Sequence, residues 1–165
     1  MRTLPMPLLL AAVLLWFSGE ASPQHVLPAG PERVVFVCEH GSVKSLVAMT
    51  YFNQRAQARG LPYRAIARGT APEPSVPNPV REGLRAAGFD VSNFVPQRLA
   101  ATDVDGALAV VSFDQDIASV VADKARIFQW DNLPGILADY SRGQDAIVKR
   151  VEDLLYELER RAPRD

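Results

Sequence analysis

Cys38 is the only cysteine in this 165-residue sequence, and the residues that follow it, Glu39, His40, Gly41, Ser42, Val43, Lys44 and Ser45, are of the types that activate a thiol. The reactive form of cysteine is the thiolate, which is favoured by nearby backbone N–H groups, a helix N-terminus or a cation such as Lys44. The apolar, β-branched run Val34 to Val37 reads as a strand covered on both faces. After Gly41 the pattern turns helical, so about eight residues carry the chain from strand to helix. A turn that short aims successive N–H groups and the positive end of the helix dipole at one point. A phosphate-sized anion suits that point. The expected phosphate-binding set is therefore Glu39, His40, Gly41, Ser42, Val43 and Lys44, with Cys38 as the nucleophile beside the anion. Against this stands the bland reading of Cys38 as an inert core residue, which is commoner by frequency. His40 is either a second donor to the anion or a partly exposed loop residue with a neutral ring, and no role is assigned to the Glu39 carboxylate.

The elements around the loop alternate. Ala48, Phe52 and Ala56 recur at fourfold spacing with Asn53, Gln54 and Arg55 turned outward, which predicts a helix stopped by Gly60 to Pro62. Tyr63 to Ala67 reads as a short strand, followed by a proline-rich turn from Pro72 to Pro79 and a helix over Val80 to Ala87 that ends at Gly88. Ala107 to Phe113 is a second apolar strand, Asp116 to Lys124 a predicted helix and Ala125 to Trp130 a last strand. In the final helix Ile147, Val151, Leu154 and Leu158 form one stripe, while Lys149, Arg150, Glu152 and Glu159 face water. Such alternation implies a parallel sheet with helices on both faces, and in these sheets ligands bind beyond the carboxyl ends of the strands. Cys38 ends the first strand.

The length suits one domain. Lys and Arg number 18 against 19 Asp and Glu, a formal charge of -1 without any block of like charge, so nothing suggests a nucleic-acid surface. Met1 to Arg2, an apolar run from Leu8 to Phe17, and small residues at Gly19 and Ala21 have the form of a secretory signal peptide over residues 1–21. The alternative is an uncleaved anchor, although a full span needs about 20 apolar residues. Either implies export, to the periplasm or outside the cell, with no membrane contact once the signal is removed. Residues 22–31, with Pro23, Pro28 and Pro31, read as an extended leader, and the domain is expected over residues 32–161. In an oxidising compartment cysteines usually come in pairs, which makes a single one notable.

The segment from Cys38 to Ser45 resembles the C-x5-R-S nucleophile loop of the low-molecular-weight protein tyrosine phosphatases and of the arsenate reductases that share their fold. Arg68 to Ala71 is similar to that family's Ser-Ala-Gly-Thr segment, Leu84 to Gly88 and Gln97 to Leu99 follow in its order, and Val110 to Asp114 resembles its third strand. The likeness runs from Val34 to about Leu158. It implies an α/β fold, a three-layer αβα sandwich on a four-stranded parallel sheet, with no metal or cofactor. It also implies that Cys38 attacks a phosphomonoester or phosphorylated protein, that Ser45 supports the thiolate, and that Lys44 stands where the family has arginine. The family's general acid is an aspartate in an Asp-Pro pair, which this sequence lacks. Asp139, shortly before the final helix, and Asp131, at the end of the last strand, are the two candidates, with Asp139 preferred. A lysine binds phosphate as a point charge where arginine offers a planar fork. That difference and the missing pair leave open a non-catalytic relative that binds phosphate, another oxyanion or a phosphorylated partner. Arsenate reduction through thioredoxin requires further cysteines, so a one-cysteine reductase would need an external thiol.

Overall fold

The computed structural model describes residues 31–121 and 127–161. The expected signal peptide, nearly all of the leader, and residues 122–126 lie outside them. Eight elements follow in order: β1 (Glu32–Cys38), α1 (Lys44–Ala58), β2 (Tyr63–Gly69), α2 (Asn78–Ala86), α3 (Ala101–Val104), β3 (Ala109–Ser112), β4 (Ile127–Gln129) and α4 (Tyr140–Arg161). The four strands form one parallel sheet in the order β2-β1-β3-β4.

The period-two alternation of β1 splits its side chains between the two faces of the sheet. Val34 and Phe36 join the main core with α1, α2 and α4, while Val35 and Val37 join a smaller one with Leu99, Val104, Val110, Ile117 and Val121. All four β1 residues are fully buried. Phe36 is the hub of the main core, packing edge-on against Phe52 at 5.7 Å and against Trp130 at 5.8 Å between ring centroids. Burial of a ring of this size contributes roughly 1.5–3 kcal/mol. The α4 stripe of Ile147, Val151, Leu154 and Leu158 is buried in the same core, as its periodicity predicts. Across the outer edge, Arg55 and Arg59 of α1 pair with Glu152 and Glu159 of α4, contacts that contribute little at an exposed surface.

The two layers flanking the sheet differ in weight. The main core lies under three helices, whereas the opposite face is covered by the four-residue α3 and the turn around Ile117. The predicted helix over Asp116 to Lys124 is not formed in its described part. Asp116 Oδ1 accepts the Ala118 N–H (3.0 Å) and the Ile117 carbonyl accepts Val120 and Val121, giving a single turn. Ile117 and Val121 are both buried, so a fourfold spacing that suggests a helix needs only this turn to satisfy it. Residues 122–124 of that prediction lie outside the described residues. No helix among the described residues is long and apolar enough to cross a membrane.

Candidate active site

β1 is central in the sheet, so its carboxyl end opens between the loops that follow β2 and β3. Cys38 closes β1 and α1 begins at Lys44. The Gly41 N–H donates to Cys38 Sγ (3.2 Å), and Ser45 Oγ lies 3.1 Å from the same sulfur. Both are contacts that a thiolate can accept. Ser45 is fully buried, Cys38 is 5 % exposed, and no side chain caps the N-terminus of α1, which leaves its first-turn N–H groups to the loop.

The loop is held from the β2 side. The N–H groups of Thr70, Ala71 and Glu73 donate to the carbonyls of Cys38 (3.1 Å), Glu39 (2.8 Å) and His40 (3.2 Å), extending the β1–β2 ladder past its end. Gly41 adopts φ 69° and sits against Gly69, where a Cβ would come within 2.8 Å of the Gly69 nitrogen. Ser42 Oγ donates to Glu73 Oε2 (3.1 Å), and His40 Nε2 lies 3.8 Å from Glu73 and 3.9 Å from Glu39.

From the β3 side, Lys44 Nζ donates to Asp114 Oδ2 at 2.6 Å. The Asn132 N–H donates to the other Asp114 oxygen (3.0 Å). The hydrogen bond from Lys44, opposed by partial burial and reinforced by Asn132, holds the Asp114 carboxyl below the usual range. Lys44 therefore spans the mouth of the site toward a carboxylate. A cavity of about 200 Å³ lies here, lined by Cys38, Glu39, His40, Val43, Lys44, Phe113, Asp114 and Gln115. A larger neighbour of about 570 Å³ shares Asp114 and Gln115 with it and reaches Asp131. The larger one lacks the cysteine, so the smaller is the candidate site.

The candidate proton donors are not assembled with the thiol. Asp139 does not line the Cys38 cavity; its Oδ1 accepts the Arg142 N–H (3.1 Å) and the Ser141 hydroxyl (3.0 Å), capping α4. Those two bonds, that of Arg142 first, keep its carboxyl below the usual range. Asp131 lines the neighbouring cavity and accepts from Gln129 Nε2 (3.2 Å). The sequence reading missed Asp114 and Glu73. Asp114 ends the strand next to β1, a position that flags it in a parallel sheet, but Glu73 sits in a proline-rich turn and has no such signal.

The low molecular weight phosphotyrosine protein phosphatase family model matches residues 33–161. Solved structures share the fold. YfkJ from Bacillus subtilis superposes with a TM-score of 0.71 at 16% identity, over 82% of this chain and 99% of that one. The low molecular weight protein tyrosine phosphatase from T. tengcongensis gives 0.68 at 21% identity, over 76% and 99%. The thioredoxin-dependent arsenate reductase of Corynebacterium glutamicum gives 0.67 at 16%, over 81% and 64%. No curated protein matches the sequence significantly.

Proposed function

The chain belongs to the low molecular weight phosphotyrosine protein phosphatase family, and from that premise we propose that it hydrolyses phosphomonoesters through a phosphocysteine at Cys38. The observation that carries this reading is the Cys38 sulfur held by the Gly41 N–H and Ser45 Oγ at the uncapped start of α1. An anion seated over the loop would be met by backbone N–H groups from Glu39 to Val43, fixed before substrate arrives and so lost to no reorganisation. The Cys38 thiolate attacks phosphorus, the S–P bond forms as the P–O bond breaks, and a proton passes to the departing oxygen. Water then attacks phosphorus, breaking the S–P bond and returning the thiolate. Lys44 contributes charge to the equatorial oxygens once it leaves Asp114. Asp131 is the better-placed proton donor, because its cavity adjoins that of Cys38 while Asp139 is occupied in capping α4.

The Lys44–Asp114 pair favours one competing reading, a relative that binds phosphate or a phosphorylated partner without turnover. An aryl phosphate separates the two. Turnover by the wild type that Cys38→Ser abolishes, with phosphate binding retained, supports the enzyme; binding without turnover, even in Lys44→Arg, supports the binding protein. A one-cysteine arsenate reductase is the weaker third reading, since the second thiol would come from outside the chain. We also read the chain as exported, from the pattern of residues 1–21, and the mass of the protein recovered from the producing cell tests this: retention of Met1 to Ala21 rejects cleavage.

A further inference from the structure

Ser42 is fully buried, and its hydroxyl has a partner in Glu73 Oε2 at 3.1 Å. A buried hydroxyl left without an acceptor is costly, so an acceptor at that place favours this form of the loop. Glu73 meets the loop in two further ways: its own N–H donates to the His40 carbonyl (3.2 Å), and its second oxygen lies 3.8 Å from His40 Nε2. Its charge does the anion no service. A carboxylate beside a cradle for phosphate repels the ligand, and Glu39 and Asp114 already line the same cavity. What justifies Glu73 here is geometry.

We propose that Glu73 is a positioning residue for the oxyanion loop, fixing the backbone around Ser42 through the part-buried Ser42–Glu73 hydrogen bond. This rests on the reading of the Cys38 to Ser45 loop as an anion cradle and adds a residue of the β2–α2 connection to it. The function of Glu73 is to accept a hydrogen bond; its negative charge is incidental and mildly harmful. A glutamine, which keeps a carbonyl oxygen at the same reach, therefore replaces it.

The test is calorimetric binding of tungstate to the folded full chain, with kcat and KM for an aryl phosphate measured alongside. Glu73→Ala is expected to weaken tungstate binding about tenfold, the effect of losing one hydrogen bond to a charged acceptor, and to lower kcat. Glu73→Gln restores binding to within about threefold of wild type or better. Ser42→Ala, which removes the donor, reproduces the alanine effect, and the double variant adds nothing to it. Should Glu73→Ala fail to fold, Ser42→Ala and Glu73→Gln carry the comparison. Unchanged tungstate affinity in Ser42→Ala, or a glutamine variant as impaired as the alanine one, overturns the proposal while leaving the cradle intact. A wild type that binds no tungstate overturns the cradle and this inference with it.

Discussion

Gly41 and Gly69 lie back to back: a Cβ on either would stand 2.8 Å from the backbone nitrogen of the other. At Gly69 such a methyl would also come within 2.9 Å of the Glu39 carbonyl oxygen, so relief would have to come from backbone, the least compliant part of the site. Gly69→Ala is expected to push the loop away from β2, costing about 1–3 kcal/mol of stability and abolishing oxyanion binding. Urea unfolding and tungstate calorimetry read the two effects; an alanine variant that binds as wild type rejects the close packing.

Lys44, which the proposed cradle would draw on, is paired with Asp114 2.6 Å away. Asp114→Asn removes the competing charge and should raise oxyanion affinity on the order of fivefold, the scale of an exposed ion pair. The same pair makes stability depend on pH. Because the Asp114 carboxyl is lowered in the folded chain, its contribution is fully present above about pH 4, the unfolded value. It is lost as pH falls through the folded value. Acid unfolding of Asp114→Asn should therefore be shallower than that of wild type.

Asp139 holds the start of α4, and its bonds from Arg142 and Ser141 keep its carboxyl below the usual range, so the proton donor we propose is Asp131. Asparagine caps helices as well as aspartate does. Asp139→Asn should leave both the unfolding midpoint and aryl phosphate turnover within about twofold of wild type, while Asp139→Ala lowers the midpoint alone. Asp131→Asn, by contrast, should slow alkyl phosphates, whose poor leaving groups need a proton, far more than nitrophenyl phosphate. Loss of turnover in Asp139→Asn would reverse this assignment.

Tyr140 packs its ring on Gly83 of α2, where a methyl would lie 2.2 Å from ring carbon. Its hydroxyl is buried without a partner among the described residues, and burial, then the nearby Tyr51, pushes the phenol up to about 12. Tyr140→Phe removes an unsatisfied group and should hold or raise stability by up to about 1 kcal/mol. Gly83→Ala should lose about 1–3 kcal/mol. Chemical unfolding of both variants checks the pair; a phenylalanine variant clearly weaker than wild type means the hydroxyl has a partner.

What the sequence disclosed was governed by short-range pattern. The run Val34 to Val37, the stripe on α4 and the cysteine at a strand end follow from periodicity and from the rule that parallel sheets bind ligands at carboxyl ends. The helix expected after Asp116 did not follow in its described part, because Ile117 and Val121 satisfy their spacing with one turn. The partners of the loop were harder to foresee. Glu73 is 31 residues from Ser42 and Asp114 is 70 from Lys44, and no local regularity carries such distances. At Asp139 the spacing before α4 fits two roles, a proton donor near the thiol and the cap of the helix itself, and only the cap shows as hydrogen bonds.

The place of β1 between β2 and β3 has an evolutionary consequence. The Cys38 cavity is walled by the segment from Phe113 to Gln115, while the turn after Gly69 holds the loop, and Thr70 Oγ1 donates to Gln115 Oε1 (2.9 Å) to join the two. A change in either stretch is therefore felt by the other. Cys38 thus sits at a seam whose two sides are tied together, so changing what the protein accepts means exchanging both as a set.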